Sequence, residues 1–234
     1  MFFPFAPDPT FILLLPAMAF AFWAQWKVQS TFAQYSRVRA SNGLTGRDMA
    51  RQIMMRNGVS DVEVEAVDGV LSDHYDPRTR KVRLSSSNFA GDSISSIAVA
   101  AHEVGHVLQH QQGYVPLTLR SGMAPVVGFA SVAAFPLFLI GLFMGARVPF
   151  GGFLMDLGIV FFAGAVLFHL VTLPVEFDAS RRALAQLTAT GAVMPQEVAG
   201  AKKVLDAAAL TYVAAAAMAA IQLLRLLILR DSRR

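Results

Sequence analysis

The chain has 234 residues, 55% hydrophobic and only 15% charged, whereas soluble domains carry about 25% charged residues; with a mean hydropathy of +0.49, this is the composition of a membrane protein. Cysteine is absent, which excludes a disulfide scaffold and any thiolate metal site and leaves His, Glu and Asp as possible ligands. The net charge of +4 comes from arginines beside apolar runs, not from one basic face interleaved with aromatics. It therefore marks membrane flanks rather than a nucleic-acid binder.

The first apolar stretch, Phe11 to Trp26, follows the apolar start "MFFPFAP". Ala19-Phe20-Ala21 has the small-x-small form of a signal-peptide cleavage site, but no Lys or Arg precedes Lys27, so a retained anchor is expected. The segment after it is polar enough to face water. In it "TGRDMARQIMMRNG" reads as a helix capped by Thr45, with Met49, Ile53 and Met54 as its apolar stripe and Gly58 as its end. "VEVEAVDG" alternates as a strand does, and "LSDHYDPRTRKVRLS" reads as strand, Asp-Pro turn, strand. A helix is expected from Asp92 or Ser93 to a stop at Gly113, with Ile94, Ile97, Ala101 and Leu108 on its apolar face.

That helix contains "AHEVGHVLQH". His102 and His106, four residues apart, lie on one helix face and can reach one ion, and Glu103 beside them is a candidate general base. A catalytic zinc takes three protein ligands and leaves a position for water. His110 is a poor third, because eight residues at about 1.5 Å each place it roughly 12 Å along the axis from His102.

Two further apolar stretches, Ala124 to Ala146 and Phe153 to Val175, are each long enough for a bilayer core that needs about 20 residues. Joined by "RVPFGG", they form a transmembrane hairpin that returns the chain to the side it left. Directly after it, a helix through "PVEFDASRRA" would put Glu176 and Ser180 on one face and Asp178 elsewhere. Glu176 is thus the first candidate for the third ligand and Asp178 the second. A fourth stretch, Ala207 to Leu229, is alanine-rich and interrupted by Gln222 and Arg225; it either spans, with Arg225 snorkelling, or lies against the membrane or the water-facing domain.

Together these readings give a mostly α membrane protein with three or four transmembrane helices and a small α+β domain at the membrane surface. The parts are an anchor (1–26), a water-facing catalytic subdomain (27–123), a transmembrane hairpin (124–175), a helix bearing the third ligand (176–206) and an apolar segment with a basic tail (207–234).

"VRLSSSNFAGDSISSIAVAAHEVGHVLQHQQGY" together with "LPVEFDASRRAL" resembles the YugP-type membrane-bound zinc metallopeptidases, over nearly the whole chain and in the same element order. More distantly, the chain is similar to HtpX-like and CAAX-prenyl proteases, gluzincins whose third ligand is the Glu of an E-x-x-A-D motif. The resemblance implies a gluzincin-like domain, peptide-bond hydrolysis, one zinc per chain and Glu176 as third ligand. This sequence departs from those relatives in having Ser180 where they have the Asp that orients a ligating histidine; Ser180, Asp178 or a backbone carbonyl would take that part.

In such an enzyme Glu103 would accept the proton of the attacking water and pass it to the leaving amine. Gly105 would leave room for another backbone, and Val82 to Leu84 would offer an edge strand to an extended substrate. His74, Tyr75, Arg181 and His110 have the chemistry of an oxyanion stabiliser, although a hydrogen-bonded hairpin pair is the expected part of His74 and Tyr75. His169, inside the third stretch, is expected to make an interhelical hydrogen bond.

Lys27, Arg37 and Arg39 follow the first stretch, and Arg181, Arg182, Lys202 and Lys203 follow the hairpin, whose turn holds only Arg147. The positive-inside rule then puts the zinc domain in the cytoplasm; the resemblance implies a bacterial plasma-membrane protein, with the lipid bilayer and a membrane-associated polypeptide as partners. The basic tail "RDSRR" opposes that pattern if the fourth stretch crosses. The readings set against a peptidase are a scaffold with a structural zinc, in which Glu103 would have no use, and a channel or transporter, for which the spans are few.

Overall fold

A computed structural model describes residues 9–69, 72–145, 148–191 and 193–232. The start "MFFPFAP", Arg147 of the hairpin turn and the last two arginines of the tail lie outside the described residues. A 3-10 turn, Pro9–Leu13, leads into α1 (Leu14–Tyr35). There follow α2 (Gly46–Arg56), β1 (Glu63–Val67), β2 (His74–Asp76), β3 (Lys81–Ser85), α3 (Ser86–Ala90), α4 (Ile94–Gln111), α5 (Val115–Met144), α6 (Pro149–Thr190) and α7 (Pro195–Asp231). Among the described residues, four helices are long and apolar enough to cross a membrane by length and composition: α1 with its leading turn, α5, α6 and α7.

The chain divides into two compact units. One comprises Gln25–Thr118 and Leu173–Thr211. Its α2 forms where the sequence places it: Thr45 accepts from the Asp48 amide, and the Asp48 carboxylate accepts in return from the Thr45 amide, a reciprocal cap that satisfies two orphan donors. Met49, Ala50, Ile53 and Met54 are buried, and the left-handed turn after the helix falls on Gly58 (φ +69°). Ser93 caps α4 by accepting from the Ser96 amide at 3.1 Å. Met49, Ile53, Val82, Leu84, Ile97, Val104, Leu108, Ala183 and Leu187 make one core between α2, the sheet, α4 and the second half of α6.

The sheet has the order β1-β3-β2, with β3 parallel to β1 and antiparallel to β2. Val82 to Leu84 therefore lie in the central strand and not at an edge. β1 pairs along the full length of β3, Glu63 with Lys81 through Val67 with Ser85, and so occupies the backbone groups a substrate would need. Glu65 of β1 holds this register from the polar face, accepting from Lys81 and Arg83 at 2.7 Å each, the cross-strand pairing that stabilises sheets. The free edges are those of β1 and β2.

The other unit comprises the chain through Ala24, Leu119–Thr172 and the chain from Tyr212 onward. Here α5 and α6 form the expected hairpin and meet through glycines. A Cβ on Gly158 would lie 2.7 Å from the Ala134 carbonyl oxygen, and one on Gly141 2.5 Å from that of Gly151, the small-residue contact typical of helices in lipid. On α7, Arg230 makes a two-point ion pair with Asp156, 2.7 Å at each contact. Arg225 donates to Thr10 at 3.3 Å and stacks over the Phe11 ring, so it is engaged by the chain itself. His169 lines an apolar recess with Phe162, Met218 and Gln222 and has Phe168 against its ring.

Candidate metal centre

α4 delivers two imidazoles on successive turns, and α6 delivers a carboxylate between them. His102 Nε2 lies 3.2 Å and His106 Nε2 3.7 Å from the same oxygen, Oε2 of Glu176. The rings stand nearly perpendicular with centroids 4.8 Å apart, so both Nε2 atoms converge on one point. One donor atom from each residue fits within 4.8 Å of the others, and His102, His106 and Glu176 are the one such group among the described residues. Glu176 is 2% exposed. Asp178, the second candidate, stays outside the cluster, because two residues along a helix is about 200° of rotation.

The helices approach this closely because of Gly105. A Cβ there would lie 2.4 Å from the carbonyl oxygen of Ala179, between Glu176 and Ser180 on α6. The expectation that Gly105 makes room for a backbone is met, and that backbone is the protein's own.

Each of the two rings is held by its other nitrogen. Ser180 Oγ lies 3.1 Å from His102 Nδ1, so of the three groups expected to orient a histidine it is Ser180 that meets His102. His106 Nδ1 is 3.0 Å from the side-chain oxygen of Gln109. Gln109 is a site residue the sequence reading passed over. Its only sequence signal is the three-residue spacing from His106, which places it on a neighbouring face of the same helix. It donates to the Val175 carbonyl at 2.8 Å and to Asp178 at 3.0 Å, and Asp178 is also paired with Arg181 and Arg182. Two imidazole nitrogens turned outward by such partners, with a buried carboxylate facing them, fit zinc in donor type and in orientation.

Glu103 is next to the ligands and 7% exposed. Burial pushes its carboxyl up to about 7, opposed by His102 and reinforced by Glu176 and Asp73. The Tyr75 backbone amide on β2 faces it. A carboxylate poised near neutrality is suited to accept and return a proton.

The remaining candidates part company. Tyr75 and His110 are joined, Oη to Nδ1 at 2.8 Å, and line a cavity of about 250 Å³ with Val59, Val62, Arg80 and Val107. Val107 and His110 follow Glu103 along one side of α4. Arg80 borders this cavity from a left-handed backbone (φ +53°) and pairs with Asp61. His74 is occupied within the hairpin, with Ser72 O 2.7 Å from Nδ1. Arg181 is exposed and tied to Asp178. Arg182 is shared between Asp178 and Gln112 and lies over the Tyr114 ring.

Comparison with known families matches residues 10–231 to the one described as "Putative neutral zinc metallopeptidase". The chain is 52% identical over 213 residues, 91% of its length and 92% of the relative's, to a Bacillus subtilis (strain 168) protein named "Putative membrane protease YugP". No solved structure matches.

Proposed function

The chain belongs to this neutral zinc metallopeptidase family, and on that premise we propose that it is an integral-membrane endopeptidase of gluzincin type. Its substrates are polypeptides in or beside the membrane, and its base is Glu103. The observation that carries this reading is the convergence of His102, His106 and Glu176 on one point with the buried Glu103 carboxyl beside it.

These three side chains would hold a single zinc per chain, whose chemistry would be Lewis-acid polarisation of the scissile carbonyl and a lowered pKa of water. Glu103 accepts the proton from the attacking water and returns it to the departing amine, which its position and burial favour. An extended substrate adds to the free edge of β2, whose Tyr75 amide faces Glu103, so that main-chain pairing aligns the scissile bond with the base. The side chain next to that bond enters the cavity beneath Tyr75 and His110. Tyr75 and His110, joined to each other at that cavity, have the chemistry to meet charge developing on the scissile carbonyl.

Substrate reaches the site from the cytoplasm, a side supported by the Lys27, Arg37 and Arg39 flank of α1 and by Arg181, Arg182, Lys202 and Lys203. α6 supports the choice of membrane-proximal substrates. Its 42 residues, at about 1.5 Å each, run roughly 63 Å, twice the ~30 Å hydrocarbon core, and Glu176 follows its apolar stretch directly.

The test compares the purified parent with Glu103→Gln for zinc content and for cleavage of casein. Equal zinc with cleavage by the parent alone is the expected result. Equal zinc with cleavage by neither would favour a structural metal site, and a parent that holds no zinc would overturn the reading.

A further inference from the structure

Gln109 is fully buried in α4, and all its hydrogen bonds have definite directions. Its amide nitrogen faces the Val175 carbonyl at 2.8 Å and Asp178 Oδ2 at 3.0 Å. A carbonyl only accepts, and so does a carboxylate held by two arginines, so the amide cannot be turned the other way without setting an oxygen against two acceptors. Its oxygen therefore faces His106 Nδ1, at 3.0 Å. An amide oxygen only accepts, so Nδ1 must carry a hydrogen, and the neutral ring then has its lone pair on Nε2. That is the nitrogen 3.7 Å from the Glu176 carboxylate.

We propose that Gln109 is a positioning residue that locks His106 in the Nδ1-protonated tautomer, with Asp178 and its two arginines fixing the amide in the orientation that does so. The partner of His102 works differently. The Ser180 hydroxyl can donate or accept at Nδ1, while the Glu176 carboxylate, 3.2 Å from Nε2, only accepts and draws the hydrogen of the metal-free ring to Nε2. The two histidines are thus unequal: His106 already has its lone pair on Nε2, and His102 must move its hydrogen to Nδ1, toward Ser180, before its Nε2 can ligate. The consequence for metal binding rests on the zinc peptidase reading; the tautomer itself does not.

The test uses the full-length chain in detergent as parent, Gln109→Glu and Gln109→Met, with 15N-labelled histidine and the His106 signals assigned through His106→Asn. In metal-free protein at alkaline pH, the ring 15N shifts should show the hydrogen on Nδ1 in the parent and in Gln109→Glu, which keeps an oxygen toward His106, and its loss from Nδ1 in Gln109→Met. Zinc affinity, from competition with a chromophoric chelator, should fall in both variants, since each loses the bonds to Val175 and Asp178, and should be weaker by about a further 10- to 100-fold in Gln109→Met than in Gln109→Glu, the usual effect of removing a ligand's hydrogen-bond partner.

Were Gln109 only a brace between α4 and α6, its nitrogen would be the atom that matters. Gln109→Glu, ionised, forfeits both donated bonds as Gln109→Met does and sets an oxygen against the two acceptors besides, so a loss of affinity in it as large as in Gln109→Met would overturn the proposal. A parent with its hydrogen on Nε2 would overturn it without recourse to any variant. A parent with the hydrogen on Nδ1 that nevertheless takes up no zinc would uphold the tautomer and refute the zinc reading instead.

Discussion

Gly105→Ala is the smallest change that should damage the metal centre. The added Cβ would stand 2.4 Å from the Ala179 carbonyl oxygen, where ordinary contact begins at 3.4 Å. Both partners are backbone on packed helices, so no side-chain rotation relieves the clash, and α4 and α6 must part by about 1 Å. Overpacking of this kind costs about 1–3 kcal/mol, against which the better helix propensity of Ala returns up to about 1 kcal/mol. The same displacement acts on Glu176, now 3.2 Å from His102, and on Ser180, now 3.1 Å from it, and should weaken zinc by at least about tenfold. Thermal unfolding in detergent and chelator competition read the two effects separately. Gly122→Ala is the control, since nothing lies within 4 Å of its added Cβ; it should melt at or slightly above the parent. A Gly105→Ala protein that melts and binds zinc as the parent does would refute the close approach of α4 and α6 on which the site's geometry rests.

Ser180→Ala removes the partner of His102 Nδ1 and should weaken zinc about tenfold, whereas Ser180→Asp should restore or exceed parental affinity; chelator competition on the pair decides, and an unchanged Ser180→Ala would remove Ser180 from the site. Val107→Phe fills part of the cavity under Tyr75 and His110 and should shift the cleavage sites in casein, mapped by mass spectrometry, with zinc content unchanged; an identical cleavage pattern would exclude the cavity as a substrate pocket.

Much of this site is legible in local sequence because its parts are local. His102, Glu103 and His106 follow from helical spacing, the Thr45 cap from the Asp three residues on, and the β2–β3 hairpin from Asp-Pro. Glu176 is reachable only by counting membrane crossings. What stayed hidden depends on pairing across distance. Alternation shows that Val64, Val82 and Leu84 face a core, but not that β1 lies parallel to β3 and takes its edge. The sequence reading divides the hairpin from the next helix after Val175, yet α6 runs unbroken through Pro174 and that point, and the burial of Val175, Ala179, Ala183 and Leu187 offsets the amide hydrogen bond that proline lacks. Arg80 occupies a left-handed position where a turn usually has glycine, and nothing in its immediate neighbours announces it. Gln109 has no motif at all, and its meaning comes from Val175 and Asp178, 66 and 69 residues away.

That separation gives the centre a second consequence. His102 and Glu176 are 74 residues apart in the chain, and the loop between them includes the whole of α5 and the α5–α6 hairpin. An ion bound to both would cross-link that loop, and the chain-entropy relation for a free chain of this length sets an upper bound of roughly 4 kcal/mol, since a hairpin in the membrane stays helical. A chain without cysteine has no disulfide to the same end, so a metal held there would do for this protein what a disulfide does for a secreted one.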